Sequence, residues 1–144
     1  MDGTSVVLTG DAADSLAAVV PDSIALPVLA DDDSWVARTA LAISEMVAAG
    51  RLRTPLLLVL TGRLARHAPH LGFAQRAARR AVRGYVLVDP ELPAPGTVSD
   101  WPDAPVTVVL AAPENPQARA AELRGWEVLI GDPASIVTDL LDRP

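Results

Sequence analysis

Residues Pro55-Leu56-Leu57-Leu58-Val59-Leu60-Thr61 form a nearly unbroken apolar run of strand length, followed at once by Gly62-Arg63-Leu64-Ala65-Arg66 and a helical stretch. Successive strand side chains point to opposite faces, so a continuously apolar strand must be covered on both. A strand of this kind feeding a helix places the chain among α/β folds with a parallel sheet. The rest of the sequence repeats the alternation. A first strand over 5–10 ends at Gly10, and Asp11 is suited to cap a helix over 12–20 that Pro21 stops. A second strand over 24–30 contains Pro27, which lacks a ladder donor and belongs near an edge. Asp31-Asp32-Asp33-Ser34 forms a polar turn, with Ser34 as N-cap of a helix to about 49 that Gly50 ends. The turn after residue 61 leads into a helix from 66 or 68 to 81, with Pro69 tolerable only in its first turn. Strands over 85–88, 106–111 and 126–130 follow, with helices over 117–124 and 134–141. The Pro- and Gly-rich loop 89–103 is too short to separate two domains. The expectation is one domain over 1–144, a three-layer α/β/α sandwich with a mostly parallel sheet of about six strands.

Composition narrows the function classes. The 144 residues suit a single domain with a sizeable core. No window reaches the roughly 18 uninterrupted apolar residues of a membrane helix. The first five residues lack a basic region, so no secretory signal is expected and the location is read as cytoplasmic. There is no cysteine, which removes disulfides, thiolate zinc sites and cysteine nucleophiles. All 12 basic residues are arginine, which removes Schiff-base chemistry through a lysine. A net charge of −6 disfavours general affinity for nucleic acid.

Several phrases resemble the small actinobacterial α/β-hydrolases. Ala25-Leu26-Pro27-Val28-Leu29-Ala30-Asp31-Asp32-Asp33-Ser34 resembles the strand and acidic turn before one of their helices. Gly84-Tyr85-Val86-Leu87-Val88-Asp89-Pro90-Glu91-Leu92-Pro93-Ala94-Pro95-Gly96 resembles the strand and Pro-rich loop leading into their lid. Asp103-Ala104-Pro105-Val106-Thr107-Val108-Val109-Leu110 resembles the strand that carries their acid. The resemblance covers most of the chain and implies a truncated hydrolase core. In such enzymes the nucleophile stands in Gly-x-Ser-x-Gly on a sharp strand-to-helix turn. Here Leu60-Thr61-Gly62-Arg63-Leu64 fill that pattern, so Gly62, or Arg63 if the turn shifts by one, replaces the serine. The first hairpin and the lid are missing, and the last strand leads into Gly131-Asp132-Pro133 with no histidine. Glu114 and Asp89 remain as candidates for the acid, but a triad carboxylate acts only through an imidazole. Glycine accepts the strained geometry of such a turn, so Gly62 is expected at positive φ.

Several of the remaining candidates lie on the same sheet edge. His67 and His70, the only histidines, are three apart. No nucleophile partner is evident for either as a base, and a metal would need a third ligand, with Asp11, Asp89 or Glu114 as distant candidates. Arg63 and Arg66 stand where a ligand meets the C-terminal ends of the strands, suited to a small anion. Thr9 and Gly10 end the first strand at that edge and resemble the hydrolases' oxyanion-loop region. Arg76, Arg79, Arg80 and Arg83 read as a solvated stripe at the end of the helix after the turn. Asp31-Asp32-Asp33 reads as turn and cap, and Trp101 as a loop anchor or contact residue.

The expectation is a hydrolase-like protein without a triad, acting as a binding or accessory protein. Its ligand-binding residues would be Thr9, Gly10, Arg63, Arg66, His67 and Glu114, with no cofactor and no metal. Loss of the lid would leave apolar surface for a homodimer or partner subunit to cover. The alternatives are a non-hydrolytic isomerase or cyclase of specialised metabolism using the sheet-edge pocket, and more weakly a residual esterase using Thr61 or Thr9.

Overall fold

The computed structural model describes residues 4–10, 12–26, 31–92 and 104–143. In chain order the elements are β1 (Ser5–Thr9), α1 (Ala13–Ala17), β2 (Ser23–Ala25), α2 (Trp35–Ala48), β3 (Leu56–Thr61), a 3₁₀ segment (Gly62–His67), α3 (Ala68–Ala77), β4 (Val82–Val88), β5 (Val106–Leu110), α4 (Gln117–Leu123), β6 (Glu127–Ile130) and α5 (Pro133–Leu141). The six strands form one sheet in the order 2-1-3-4-5-6, and every neighbouring pair is parallel. β2 lies at an edge, but it spans only Ser23–Ala25 instead of 24–30 and ends before Pro27. No helix of the described residues is long and apolar enough to cross a membrane.

The strand order fixes which helices share a face. The chain steps one way from β1 to β2 and the other way from β2 onward, and parallel crossovers are right-handed. α1 must therefore cover the face opposite α2, α3 and α4. The buried side chains divide accordingly. Leu56, Leu58 and Leu60 of β3 pack with Trp35, Ile43, Leu71 and Ala121, while Leu57 and Val59 pack with Ala13, Leu16 and Val137. The period-two split along β3 accounts for its unbroken apolar sequence: every residue from Leu56 to Thr61 is buried.

Helix ends explain where the sequence expectation fails. α2 stops as expected: Gly50 has φ +75, its N–H bonds Val47 O and the next N–H bonds Met46 O. α3 stops at Ala77 rather than continuing to 81, through the same paired bonds: Arg79 N–H to Arg76 O and Arg80 N–H to Gln75 O. The left-handed residue there is Arg79, at φ +57, so no glycine marks the stop. β4 consequently begins at Val82 instead of 85. The four arginines are not one stripe. Arg76 is helical, Arg79 and Arg80 form the cap, and Arg83 lies in β4, where Nη2 donates to Leu140 O at 2.9 Å. Ser34 precedes α2 as expected, but its hydroxyl donates to Asp32 Oδ1 at 2.7 Å and caps no helix N–H. Asp132 does cap α5, accepting from Ser135 N–H at 3.0 Å. Asp11, residues 27–30 and Trp101 lie outside the described residues.

Candidate functional site

In an open parallel sheet, ligands bind beyond the C-terminal strand ends where the strand order reverses. Here that point lies between β1 and β3. Thr9 pairs with Leu60 in the ladder, and Thr61 Oγ1 donates to Thr9 O at 2.9 Å. Thr9 Oγ1 donates in turn to Val59 O at 3.0 Å. Both hydroxyls are buried and donate their protons to carbonyls, so neither is set against a base. Gly10 follows at φ +94, and a Cβ there would lie 2.0 Å from Thr61 Oγ1. The close approach of the two strand ends therefore requires glycine. Gly62 has φ +60 at the C-terminal end of β3 and opens the 3₁₀ segment, with open space where a Cβ would stand. Its carbonyl accepts the Glu91 N–H at 3.0 Å, tying this turn to the loop after β4.

The 3₁₀ segment delivers His67 to Asp31. Nε2 of the imidazole lies 2.6 Å from Asp31 Oδ1, and Arg66 Nη2 donates to Asp31 Oδ2 at 2.9 Å. The His67 ring stacks on Trp35, the first residue of α2, with centroids 4.9 Å apart and planes 17° apart. The His67 hydrogen bond, helped by the nearby Arg66, His67 and Arg63 charges, holds the Asp31 carboxyl below its ordinary value against the cost of burial. An ionised carboxylate only accepts, so the Nε2 side carries the proton. In the neutral ring Nδ1 then holds the free lone pair, and it bonds none of the described residues. Asp31 and His67 thus form a carboxylate–imidazole pair, oriented by one arginine and one indole.

The structure brings together part of the expected set. Thr9, Gly10, Arg66 and His67 lie at or beside the switch point, but Arg66 is already paired with Asp31. Arg63 is largely exposed, with Nε 4.0 Å from Glu91 Oε2. Glu114 is exposed in the turn after β5, and no hydrogen bond or ion pair joins it to the other candidates among the described residues. Asp89, at φ +42, is a clip between strands: its N–H donates to Val109 O and its Oδ1 accepts the Ala111 N–H at 3.1 Å. His70 is exposed on α3 and does not act with His67. Among the described residues no three of His, Asp and Glu converge as a metal site. Sequence reasoning missed Asp31 as the partner of His67. The two are 36 residues apart, and the only available signal was that the second and third strands both end on this edge.

No family model, curated protein or solved structure matches this chain. Three cavities are bounded by described residues, and Thr9, Gly10, Arg66 and His67 line none of them. One runs between α1 and α5, one lies beside β4, β5 and β6 near Trp126, and a small one lies under α3.

Proposed function

We propose that this chain is a catalytically degenerate α/β-hydrolase-like protein that works by binding, as an accessory protein for a small ligand or a partner chain. The carrying observation is the turn after β3. Gly62 has φ +60 at the position that the sequence pattern gives to a nucleophile, and the His67 imidazole is engaged by Asp31 rather than by a hydroxyl. The parallel sheet, with helix-packed clusters on both faces, supports a three-layer reading of a reduced hydrolase-like core. Pairing of Arg66 with Asp31 and of Arg63 with Glu91 reduces the edge's capacity for a strongly charged anion and favours a neutral ligand or a protein surface. The open edges at β2 and β6, with Ile130 exposed on the latter, support cover by a second copy or a partner. The test is turnover of activated short-chain esters. The expected rate equals the uncatalysed background. Turnover abolished by Thr61→Val or Thr9→Val would overturn the proposal.

One observation favours a second reading. The Asp31–His67 pair leaves an imidazole nitrogen able to take a proton, as a non-hydrolytic isomerase or cyclase requires. A substrate whose turnover falls about 100-fold or more on His67→Ala would establish it, since general-base catalysis contributes on that order.

A further inference from the structure

At the opposite, N-terminal edge of the sheet, a cavity of about 190 Å³ lies between the end of α3 and the start of β4. Gly72, Val82 and Ala104 give it small walls, and its polar lining comes from Gln75, Arg76, Arg80 and Tyr85. The lining donates hydrogen bonds, and none of the described residues that form it is a carboxylate. Arg80 Nε donates to Gln75 Oε1 at 2.7 Å and Nη1 to Ser44 Oγ at 2.8 Å, and no carboxylate pairs with this arginine among the described residues. Because Gln75 Oε1 accepts from Arg80, the amide nitrogen faces elsewhere. That nitrogen is buried without a partner on a residue only 1% exposed. The Tyr85 side chain is 2% exposed, and its hydroxyl bonds none of the described residues. Burial pushes the phenol up to about 12, so at neutral pH it is an uncharged donor, and burial also lowers the Arg80 pKa. A half-buried cation and a buried amide donor that find no counter-charge and no acceptor among the described residues are each costly alone, and one bound acceptor group relieves both.

We propose that this cavity is a binding site for a small oxyanion, the carboxylate or phosphoryl group of a compact ligand, held by Arg80, Gln75 and Tyr85. The guanidinium supplies charge and planar donors, and the amide and phenol supply neutral donors at an angle to it. At about 190 Å³ the cavity has room for a small anion. The site lies on the sheet edge remote from Gly62, so it stands or falls independently of the reading proposed for that edge.

Tyr85 is the single tyrosine, so a tyrosine-labelled chain gives the ring signals of one residue in NMR. Titration with sodium phosphate, and separately with sodium acetate, is compared with sodium chloride at matched ionic strength. A saturable shift with at least one oxyanion and none with chloride is expected, and the tighter arm identifies phosphoryl or carboxylate. Arg80→Met should abolish the saturable shift. Gln75→Met, which leaves the Arg80–Ser44 bridge in place, should weaken binding about tenfold, as loss of one hydrogen bond to a charged group implies. No saturable shift with either oxyanion, an equal shift with chloride, or unchanged affinity in the Gln75 variant would overturn the site.

Discussion

Replacing Gly10 and Gly62 separately by alanine should give unequal losses of stability, because the two glycines are needed for different reasons. Both have positive φ, at +94 and +60, and for an L-residue the left-handed region costs about 1–2 kcal/mol. At Gly62 nothing lies within 4 Å of the added Cβ, so that backbone term is the whole expected cost. At Gly10 the Cβ meets Thr61 Oγ1 at 2.0 Å and Thr61 O at 3.0 Å. The side chain must turn away, breaking the buried bond from Thr61 Oγ1 to Thr9 O, and leaving such a group unpaired costs about 1–3 kcal/mol. We predict a loss of about 2–5 kcal/mol for Gly10→Ala against about 1–2 for Gly62→Ala. Urea unfolding followed by circular dichroism measures both, and the difference corresponds to a melting-temperature gap of about 3 °C or more. Thr61→Ala should also cost less in the Gly10→Ala background than in the parent, by about 1 kcal/mol. Losses equal within about 0.5 kcal/mol would refute the close approach of the two strand ends.

Further outcomes follow from other contacts. Asp31 is held below its ordinary value of 3.8, so its contribution is fully present above that pH and is lost as the pH falls through the lowered value. Asp31→Asn should flatten the stability profile below about pH 4, and an unchanged acid limb in urea titrations would contradict the His67 contact. Asp32 is lowered by its hydrogen bonds from Ser34 and shares this acid limb, so Asp32→Asn should remove a separate part of it. Thr39 Oγ1 is buried with no partner among the described residues, and Thr39→Val should be neutral or stabilising by up to about 1 kcal/mol. A loss of more than about 0.5 kcal/mol in its melting curve would show that the hydroxyl is paired. Ile43, fully buried in α2, should cost about 2–5 kcal/mol on change to alanine, read in the same assay.

The strands were legible because burial on both faces writes itself into sequence as runs such as Leu56 to Leu60. The end of α3 was not. The stop relies on Arg79 in the left-handed region, and the helix-favouring composition of 76–81 carries no trace of it. Gly84 and Arg83 likewise hid the start of β4, since Gly84 is buried close to Pro105 O and Arg83 reaches across to the end of α5. At the candidate site, the glycine turn and the placement of Thr9, Gly10, Arg66 and His67 on one edge followed from strand–turn–helix order. The partner of His67 did not. It depends on β2 and β3 flanking β1, a long-range property of the sheet that local pattern does not encode.

The central claim is that the edge at Gly62 carries no activated nucleophile. Incubation with a fluorophosphonate probe, read as intact mass, tests it most directly. The chain is expected to stay unmodified under conditions that label a serine hydrolase completely. One adduct per chain, mapped to a single hydroxyl at this edge such as Thr61 or Thr9, would contradict it.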